Sequence, residues 1–319
     1  MSLNPDIAAF LQLVDSGRAS GKRVAMHDLA PQQAREQFDQ SSLLMDAGSE
    51  DLEVVEALQI RTRDGFDLNA RVYSSQPLGG GASRPALLYF HGGGYVVGSL
   101  DSHDSLCRAL AAMANCVVLS VAYRLAPEWR FPTAANDAVD AWNWLVANSE
   151  GLGIDARRLA VGGDSVGGSL ATILAAHPLS TSVKPLLQVL IYPVTDASQS
   201  TASIERYGVG HLLEKDSLGW FYQHYQRDVS DRLDPRFSPL LAEVTAPVPP
   251  VLLILAECDP LHDEGVAYAR HLQAAGVEVE LKVYPGMTHD FLRMGAIIDE
   301  AQEAQNHIAG RLVEVFAAI

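Results

Sequence analysis

Short apolar runs alternate with helix-like stretches along most of this chain. From residue 86 onward, the nearly continuous apolar runs are ALLYF, CVVLSVAY, RLAVGG, LLQVLIYP, VLLILAE and VELKVYP. Most of the stretches between them have the spacing of helices. Continuous apolar strands separated by helices predict a mainly parallel sheet that is covered by helices on both faces.

Other segments depart from this alternation. Residues 4–16 and 30–46 have helical spacing, and VVEALQIRTR and FDLNARVYS then alternate as strands with one exposed face do. Residues 197–245 are turn-rich apart from the amphipathic stretch DSLGWFYQHYQRD, in which Asp216 is the predicted N-cap. This segment is an ordinary surface connection or, as its aromatic content favours, a lid over a binding site. A final helix is predicted over residues 299–318.

Composition and charge narrow the functional classes. The formal net charge of −16 argues against partners such as nucleic acid and anionic membrane surfaces. No segment approaches the length of a membrane span, and the N-terminal residues lack the pattern of a signal peptide. Cys107, Cys116 and Cys258 form neither a CxxC motif nor a metal-binding pattern. These features predict a cytoplasmic protein without a membrane, a nucleic acid or a metal as partner.

A cluster of glycines surrounds one serine in the segment VGGDSVGGSL, residues 161–170. A predicted strand precedes Ser165 and a predicted helix follows it, so Gly163 to Gly167 has the G-x-S-x-G pattern of a nucleophile elbow. The two glycines leave room for a tight turn that exposes the serine Oγ above the sheet. A glycine-rich loop at a helix start is the alternative. A phosphate-binding P-loop is excluded because no Gly-Lys-Ser/Thr sequence is present here.

An elbow serine requires a base and an acid. Among the ten histidines, His289 lies in a loop directly after the strand VELKVYP, at the sheet edge where sites form. In this architecture the acid lies between the serine and the histidine in sequence. Asp259 follows the strand VLLILAE, with Glu257 and Asp263 as competitors. A turn or capping role for Asp259 remains the alternative at this point.

Backbone N–H groups that stabilise an oxyanion are expected in the loop after ALLYF. That strand leads directly into His91-Gly92-Gly93-Gly94-Tyr95. Successive glycines allow the backbone to approach a ligand closely. A flexible loop is the alternative, but the apolar strand before it and the YVVG sequence after it favour the functional interpretation.

Together these motifs resemble the hormone-sensitive-lipase-like family of α/β-hydrolase carboxylesterases, in its bacterial GDSAG branch. The matching motifs are HGGGY, YRLAPE, GDSVGG, DPLHDEG and GMTHDF, in that order. The resemblance extends from about residue 54 to the end. It implies an α/β-hydrolase fold with a mainly parallel eight-stranded sheet flanked by helices. The catalytic domain would comprise residues 51–196 and 246–319, and residues 1–50 and 197–245 would form a helical cap.

The resemblance also implies a role for each matching residue. Ser165 would be the nucleophile, His289 the base and Asp259 the acid. The backbone N–H donors of the oxyanion hole would be those of Gly93, Gly94 and Val166, whereas His91 would brace their loop.

Two positions differ from the pattern of this branch. Val166 replaces the usual alanine, which narrows the adjacent pocket but keeps the backbone donor. Asp290 replaces the glycine that usually follows the histidine. Its carboxylate either raises the pKa of His289 or lies exposed without effect.

The predicted function is hydrolysis of short- to medium-chain carboxylic esters through an acyl-enzyme, with no cofactor and no metal. Candidate substrate-binding residues are Tyr95, His211, Phe221 and Tyr222. A homodimer is an open expectation, because dimers are common in the family. The alternatives are a binding module on the same scaffold and an acyltransferase, amidase or lactonase that uses the same triad. The complete set of triad residue types disfavours the binding module.

Overall fold

A computed structural model describes residues 2–79, 83–176, 181–244 and 247–319 of the chain. The helices are α1 (Pro5–Ala19), α2 (Pro31–Met45), α3 (Asp104–Ala114), α4 (Thr133–Asn148), α5 (Val166–Ala176), α6 (Ala202–Tyr207), α7 (Lys215–Tyr225), α8 (His262–Ala274) and α9 (Asp299–Ala317). The strands are β1 (Val54–Arg61), β2 (Asp67–Ser74), β3 (Arg84–Phe90), β4 (Val117–Val121), β5 (Ile154–Asp164), β6 (Gln188–Ile191), β7 (Val251–Ala256) and β8 (Val279–Tyr284).

The strands form one eight-stranded sheet in the order β1-β2-β4-β3-β5-β6-β7-β8. Strand β2 pairs antiparallel with β1 and β4. The remaining neighbours, in the order β4-β3-β5-β6-β7-β8, all pair in parallel. Every residue of β4, β6 and β7 is buried, as expected for strands whose two faces are both covered. The predicted eight-stranded, mainly parallel sheet is confirmed.

Helices cover both faces of this sheet. One core layer contains apolar side chains of α3 and α9, and the other contains side chains of α4, α5 and α8. Because the parallel strands run in one direction, the loops after β3, β5, β7 and β8 all emerge at the same edge of the sheet. That edge is where the predicted motifs lie. No helix in the described part of the chain is long and apolar enough to cross a membrane.

Residues 197–245 connect β6 to β7 and contain α6 and α7. The structure corrects one prediction there: the N-cap of α7 is Glu214, not Asp216. The helix starts earlier because the Glu214 carbonyl already accepts the first intrahelical bond, from the Leu218 N–H at 2.9 Å. Asp216 lies in the first turn, where a carboxylate favours the helix dipole. The predicted boundary at residues 245–246 lies outside the described residues.

Candidate active site

Ser165 lies on the turn that joins β5 directly to α5. Its φ angle is 53°, in the left-handed region that a residue with a side chain seldom adopts. The turn is held because the Ser165 N–H donates to the Ile191 carbonyl at 2.8 Å and the Val194 N–H donates to the Ser165 carbonyl at 3.3 Å. The adjacent strand β6 and its loop therefore fix a strained backbone at the serine.

Two glycines permit this turn. A Cβ atom at Gly167 would lie 2.0 Å from the Phe90 carbonyl oxygen, and one at Gly163 would lie 2.4 Å from the same oxygen. Both distances are far below van der Waals contact, and the opposing atom belongs to the backbone of β3. The G-x-S-x-G spacing is thus a packing requirement between the elbow and the adjacent strand.

Gly167→Ala is expected to lower the free energy of unfolding by about 1–3 kcal/mol or more, because an added methyl group meets a backbone carbonyl that cannot move aside. Denaturant unfolding followed by circular dichroism measures the change. The control is Gly310→Ala in α9, where nothing lies within 4 Å of the added Cβ. We expect that change to stabilise the protein by roughly 0.5–1 kcal/mol. Equal stability of the Gly167→Ala variant and the parent protein would contradict the packing argument.

The structure brings the predicted serine, histidine and acid together. His289 Nε2 lies 3.0 Å from Ser165 Oγ, and His289 Nδ1 lies 2.7 Å from Asp259 Oδ2. The second oxygen of Asp259 accepts the Leu261 N–H at 2.9 Å. All three of these side chains are buried, and Asp259 is only 1% exposed. This is the geometry in which an imidazole removes a hydroxyl proton while a carboxylate orients the ring.

The two competing carboxylates have other partners. Glu257 accepts the Gly286 N–H at 2.8 Å, and Asp263 accepts the Ser203 N–H at 2.8 Å. Asp263 therefore joins α8 to the segment that contains α6. The geometry favours Asp259 as the acid.

The pKa of His289 is raised above its usual value. Burial alone would lower it, but the charge of Asp259 and its hydrogen bond to the ring outweigh that effect. The charges of Asp290 and Asp164 act in the same direction. His289 is therefore prepared to accept and hold a proton.

Asp290 has the left-handed φ angle of 67° that favours glycine at this position. Its side chain is 19% exposed and forms an ion pair with Arg293, at 3.2 Å between Oδ2 and Nη2. Of the two alternatives left open by the sequence, the raised pKa of His289 favours the first.

The loop after β3 lines the same cavity. Gly93 and Gly94 have φ angles of 113° and 61°. Together with Val166, they line the cavity that contains Ser165 and His289. None of these three N–H groups donates to another of the described residues. Three free donors beside a nucleophile can stabilise an oxyanion.

Asp164, which precedes the serine, anchors this loop. It is completely buried, and its Oδ1 accepts the Tyr89 hydroxyl at 2.7 Å and the Gly92 N–H at 3.0 Å. His103 Nε2 lies 3.1 Å from its Oδ2. Burial alone would raise the pKa of Asp164, but the charges of His103 and Arg293 and these hydrogen bonds lower it. Sequence reasoning missed this role, although an acidic residue inside the elbow motif was the available signal.

The predicted brace of the loop, His91, is also buried. Its Nδ1 lies 2.7 Å from the Gly92 carbonyl, and its ring stacks on Tyr123 with 4.4 Å between centroids. Burial and the nearby His103 lower the pKa of His91 to about 3, so the ring is neutral. His103 occupies the N-cap of α3 but forms no side-chain capping bond. Its ring bonds to Asp164 instead.

A cavity of about 170 Å³ opens above Ser165. Phe221 and Tyr222 line it as predicted, whereas Tyr95 and His211 are not among the described residues that line it. Tyr95 is completely buried, and its ring stacks on Tyr225 with 3.8 Å between centroids. The His211 Nδ1 lies 2.8 Å from the Val209 carbonyl. The substrate-binding assignment of these two residues is therefore corrected.

Sequence reasoning also missed much of the cavity wall. Eleven lining residues come from α1, α2 and the loop between them: Phe10, Val14, Arg18, Arg23, Val24, Met26, Gln37, Phe38, Ser41, Leu44 and Met45. The spacing of Phe10, Val14 and Arg18 on one helix face was the available signal. No group of three or more His, Cys, Asp and Glu side chains in the described part of the chain is arranged to hold a metal.

Comparisons with known proteins agree with this geometry. A family model described as the alpha/beta hydrolase fold matches residues 87–293. Ethyl acetate hydrolase of Pseudomonas putida is 58% identical over 305 residues, which cover 95% of this chain and 96% of that protein. Carboxylic ester hydrolase LipN of Mycobacterium tuberculosis is 43% identical over 235 residues, covering 72% of this chain and 62% of that protein.

Solved structures of ester hydrolases are also similar to this chain. The hyperthermophilic esterase of the archaeon Pyrobaculum calidifontis is 38% identical and superposes with a TM-score of 0.90, covering 98% of this chain and 99% of that one. The ester-hydrolase EH1AB1, from the metagenome of Lake Arreo, is 35% identical with a TM-score of 0.93 and covers 99% of both chains. That protein is complexed with a derivative of bipyridine phosphonate.

Proposed function

Since this chain belongs to the α/β-hydrolase fold family and is a carboxylic ester hydrolase, we propose that Ser165 is its nucleophile and that short- to medium-chain esters are its substrates. The observation that carries this proposal is the chain of contacts from Ser165 through His289 to Asp259, at 3.0 and 2.7 Å. The chain of contacts faces the free N–H groups of Gly93, Gly94 and Val166.

Acylation follows from this geometry. As Ser165 Oγ attacks the ester carbonyl carbon, its proton moves to His289 Nε2, and Asp259 stabilises the imidazolium that forms. The carbonyl oxygen becomes an oxyanion and accepts hydrogen bonds from the three N–H groups. One such donor is typically worth about 2.7–4 kcal/mol. The tetrahedral intermediate collapses, His289 gives its proton to the departing alkoxide, and an alcohol leaves an acyl-enzyme.

Deacylation reverses the roles of the same groups. His289 removes a proton from water, the hydroxide oxygen attacks the acyl carbon, and a second oxyanion forms at the same N–H groups. Collapse returns the proton to Ser165 Oγ and releases the carboxylic acid. The proposed size of the substrates is supported by the cavity of about 170 Å³ and by the name of the Pseudomonas putida relative.

We also propose that residues 1–50 and 197–245 act as one cap over a catalytic domain formed by residues 51–196 and 246–319. Both cap segments line the cavity. They contact each other through the Arg18–Glu214 ion pair at 2.6 Å and through His27 Nδ1 and Ser217 Oγ, which are 3.2 Å apart.

A cytoplasmic location and a homodimer remain predictions. The location is supported by Cys107, Cys116 and Cys258, which are all free thiols and buried. Size-exclusion chromatography with light scattering measures the oligomeric state directly.

Labelling with an organophosphonate tests the proposed nucleophile. We expect the probe to form one covalent adduct, which peptide mass spectrometry assigns to Ser165. Labelling should be lost in parallel with hydrolysis of p-nitrophenyl acetate. Full hydrolysis by a fully labelled protein, or an adduct on another residue with Ser165 free, would overturn the assignment. Adding an acceptor alcohol and identifying the products measures how much acyl transfer accompanies hydrolysis.

Asp290→Asn is expected to shift the acidic limb of the pH profile of kcat/KM to lower pH. The reaction requires neutral His289, and the negative charge of Asp290 contributes to its raised pKa. Removing that charge lowers the pKa, so the active form persists at lower pH. Asp299→Asn is the control, because this exposed residue lies in the first turn of α9. An unchanged limb, or a shift to higher pH, would show that Asp290 does not act on the base.

A further inference from the structure

Arg293 is a buried cation beside the active site. It ends the short 3₁₀ helix Phe291–Arg293 that follows the His289 loop, and its side chain is 4% exposed. A buried guanidinium is costly unless several partners compensate its charge and its N–H groups. Its contacts therefore show which parts of the structure it holds together.

Its partners come from separate segments. Arg293 Nη1 donates to Ser42 Oγ of α2 at 2.9 Å and to the Ser102 carbonyl at 3.2 Å. The guanidinium lies 4.9 Å from the centre of the Phe38 ring, also in α2. Its Nη2 lies 3.2 Å from Asp290 Oδ2, as an ion pair without the geometry of a hydrogen bond. One guanidinium thus joins helix α2 to the residue next to the base.

Helix α2 also forms part of the cavity wall, through Phe38, Ser41 and Met45. Ser42, on the same helix, does not line the cavity but bonds to Arg293. Arg293 therefore links the position of α2 over the cavity to the position of the His289 loop. This connection does not touch the reacting atoms.

We propose that Arg293 is a positioning residue that couples the docking of α2 over the cavity to the placement of His289, acting through Asp290. When α2 is docked, Ser42 and Phe38 hold the guanidinium, which holds the Asp290 carboxylate and hence the loop that carries the imidazole. Loosening α2 then lowers the rate of the chemical step, in addition to any effect on substrate binding. The inference rests on the proposed role of His289 as the base.

The test removes the hydrogen bond between Arg293 and Ser42 of α2. Ser42→Ala deletes the hydroxyl that accepts from Arg293 and leaves Asp290, Arg293 and the triad intact. The matched control is Ser149→Ala, since both serines are 6% exposed and both hydroxyls donate to a backbone carbonyl in the preceding turn. Ser149 lies beyond the end of α4 and has no contact with Arg293. Thermal unfolding of both variants identifies any loss of fold.

We expect Ser42→Ala to lower kcat for p-nitrophenyl acetate by about 3- to 30-fold, which lies within the span of coupling between neighbouring residues. The KM should change much less, and the acidic limb of the kcat/KM profile should shift. The charges of Asp259, Asp290 and Asp164 act on His289, and the Tyr192 ring lies 4.6 Å from the imidazole between centroids. Arg293 acts on two of these carboxylates, Asp290 and Asp164. Ser149→Ala should leave both quantities unchanged.

A double-mutant cycle separates coupling from independent effects. If Asp290 transmits the effect, Ser42→Ala combined with Asp290→Asn lowers kcat hardly more than Asp290→Asn alone. Multiplicative effects, an effect on KM alone, or a Ser42→Ala variant that behaves like Ser149→Ala would overturn the inference. In each of these cases, ester hydrolysis by the parent protein would still support the proposed function. Absence of ester hydrolysis in the parent protein would instead overturn the function itself.

Discussion

Ser165→Ala is expected to lower kcat for small esters on the order of 10⁵- to 10⁶-fold, as removal of the nucleophile of a triad does. The oxyanion-hole N–H groups and the cavity remain, so a weak residual rate above that of water is expected. Steady-state hydrolysis of p-nitrophenyl acetate measures the loss. The organophosphonate adduct should disappear in the same variant.

The fold should survive this change, because the Ser165 side chain bonds only to His289 among the described residues. Thermal unfolding near the temperature of the parent protein would show this. The control is Ser169→Ala, in the next turn of α5, whose hydroxyl is directed to the Val194 carbonyl. If Ser165→Ala retained more than a small fraction of the parent rate, another nucleophile would be responsible.

Asp259→Asn is expected to lower kcat on the order of 10⁴-fold. An amide in place of the carboxylate presents an N–H group toward His289 Nδ1 and favours the tautomer that cannot accept the Ser165 proton. The KM should change little, because Asp259 does not line the cavity. Kinetics across a range of pH measure the effect.

Asp263→Asn provides the matched control. It removes a competing carboxylate in the first turn of α8, shortly after Asp259 in sequence. Its partner is the Ser203 N–H, and it contacts no member of the triad. We expect it to retain nearly full activity and to lose some stability. A larger loss of kcat in Asp263→Asn than in Asp259→Asn would reverse the assignment of the acid.

The sequence predicted the sheet and the triad geometry for a common reason. Continuous apolar runs identify strands that are buried on both faces, and strand ends fix the edge where loops meet. Ser165, Asp259 and His289 each follow such a run closely. The direction of the strands therefore explains their convergence, whereas the choice of Asp259 over Glu257 and Asp263 came from the resemblance to the family.

The cavity wall was not predictable in the same way. Tyr95 directly follows Gly94 of the predicted oxyanion hole in sequence. Its ring nevertheless stacks on Tyr225 and lies in the core. Leu212 lines the cavity, whereas its neighbour His211 does not. Which residue of a turn faces a cavity depends on backbone angles, and Leu212 has a left-handed φ of 73°. Propensity and spacing carry no information on that choice.

The contacts of the buried polar side chains were also not predictable from the sequence. Asp164 and His103 are 61 positions apart in sequence, and Arg293 and Ser42 are 251 positions apart. Charged residues are usually exposed, so burial of Asp164 and Arg293 contradicts the average expectation. Only the tertiary structure shows the buried partners of each side chain, which leave Arg293 Nε and Nη2 without a hydrogen bond to any described residue.

Part of the cavity wall lies outside the region that the family model matches, and this has an evolutionary consequence. The family model begins at residue 87, but eleven of the lining residues lie before residue 46. Selection for a new ester can therefore act on the cavity-lining residues of α1 and α2, provided that the contact between Ser42 and Arg293 is kept.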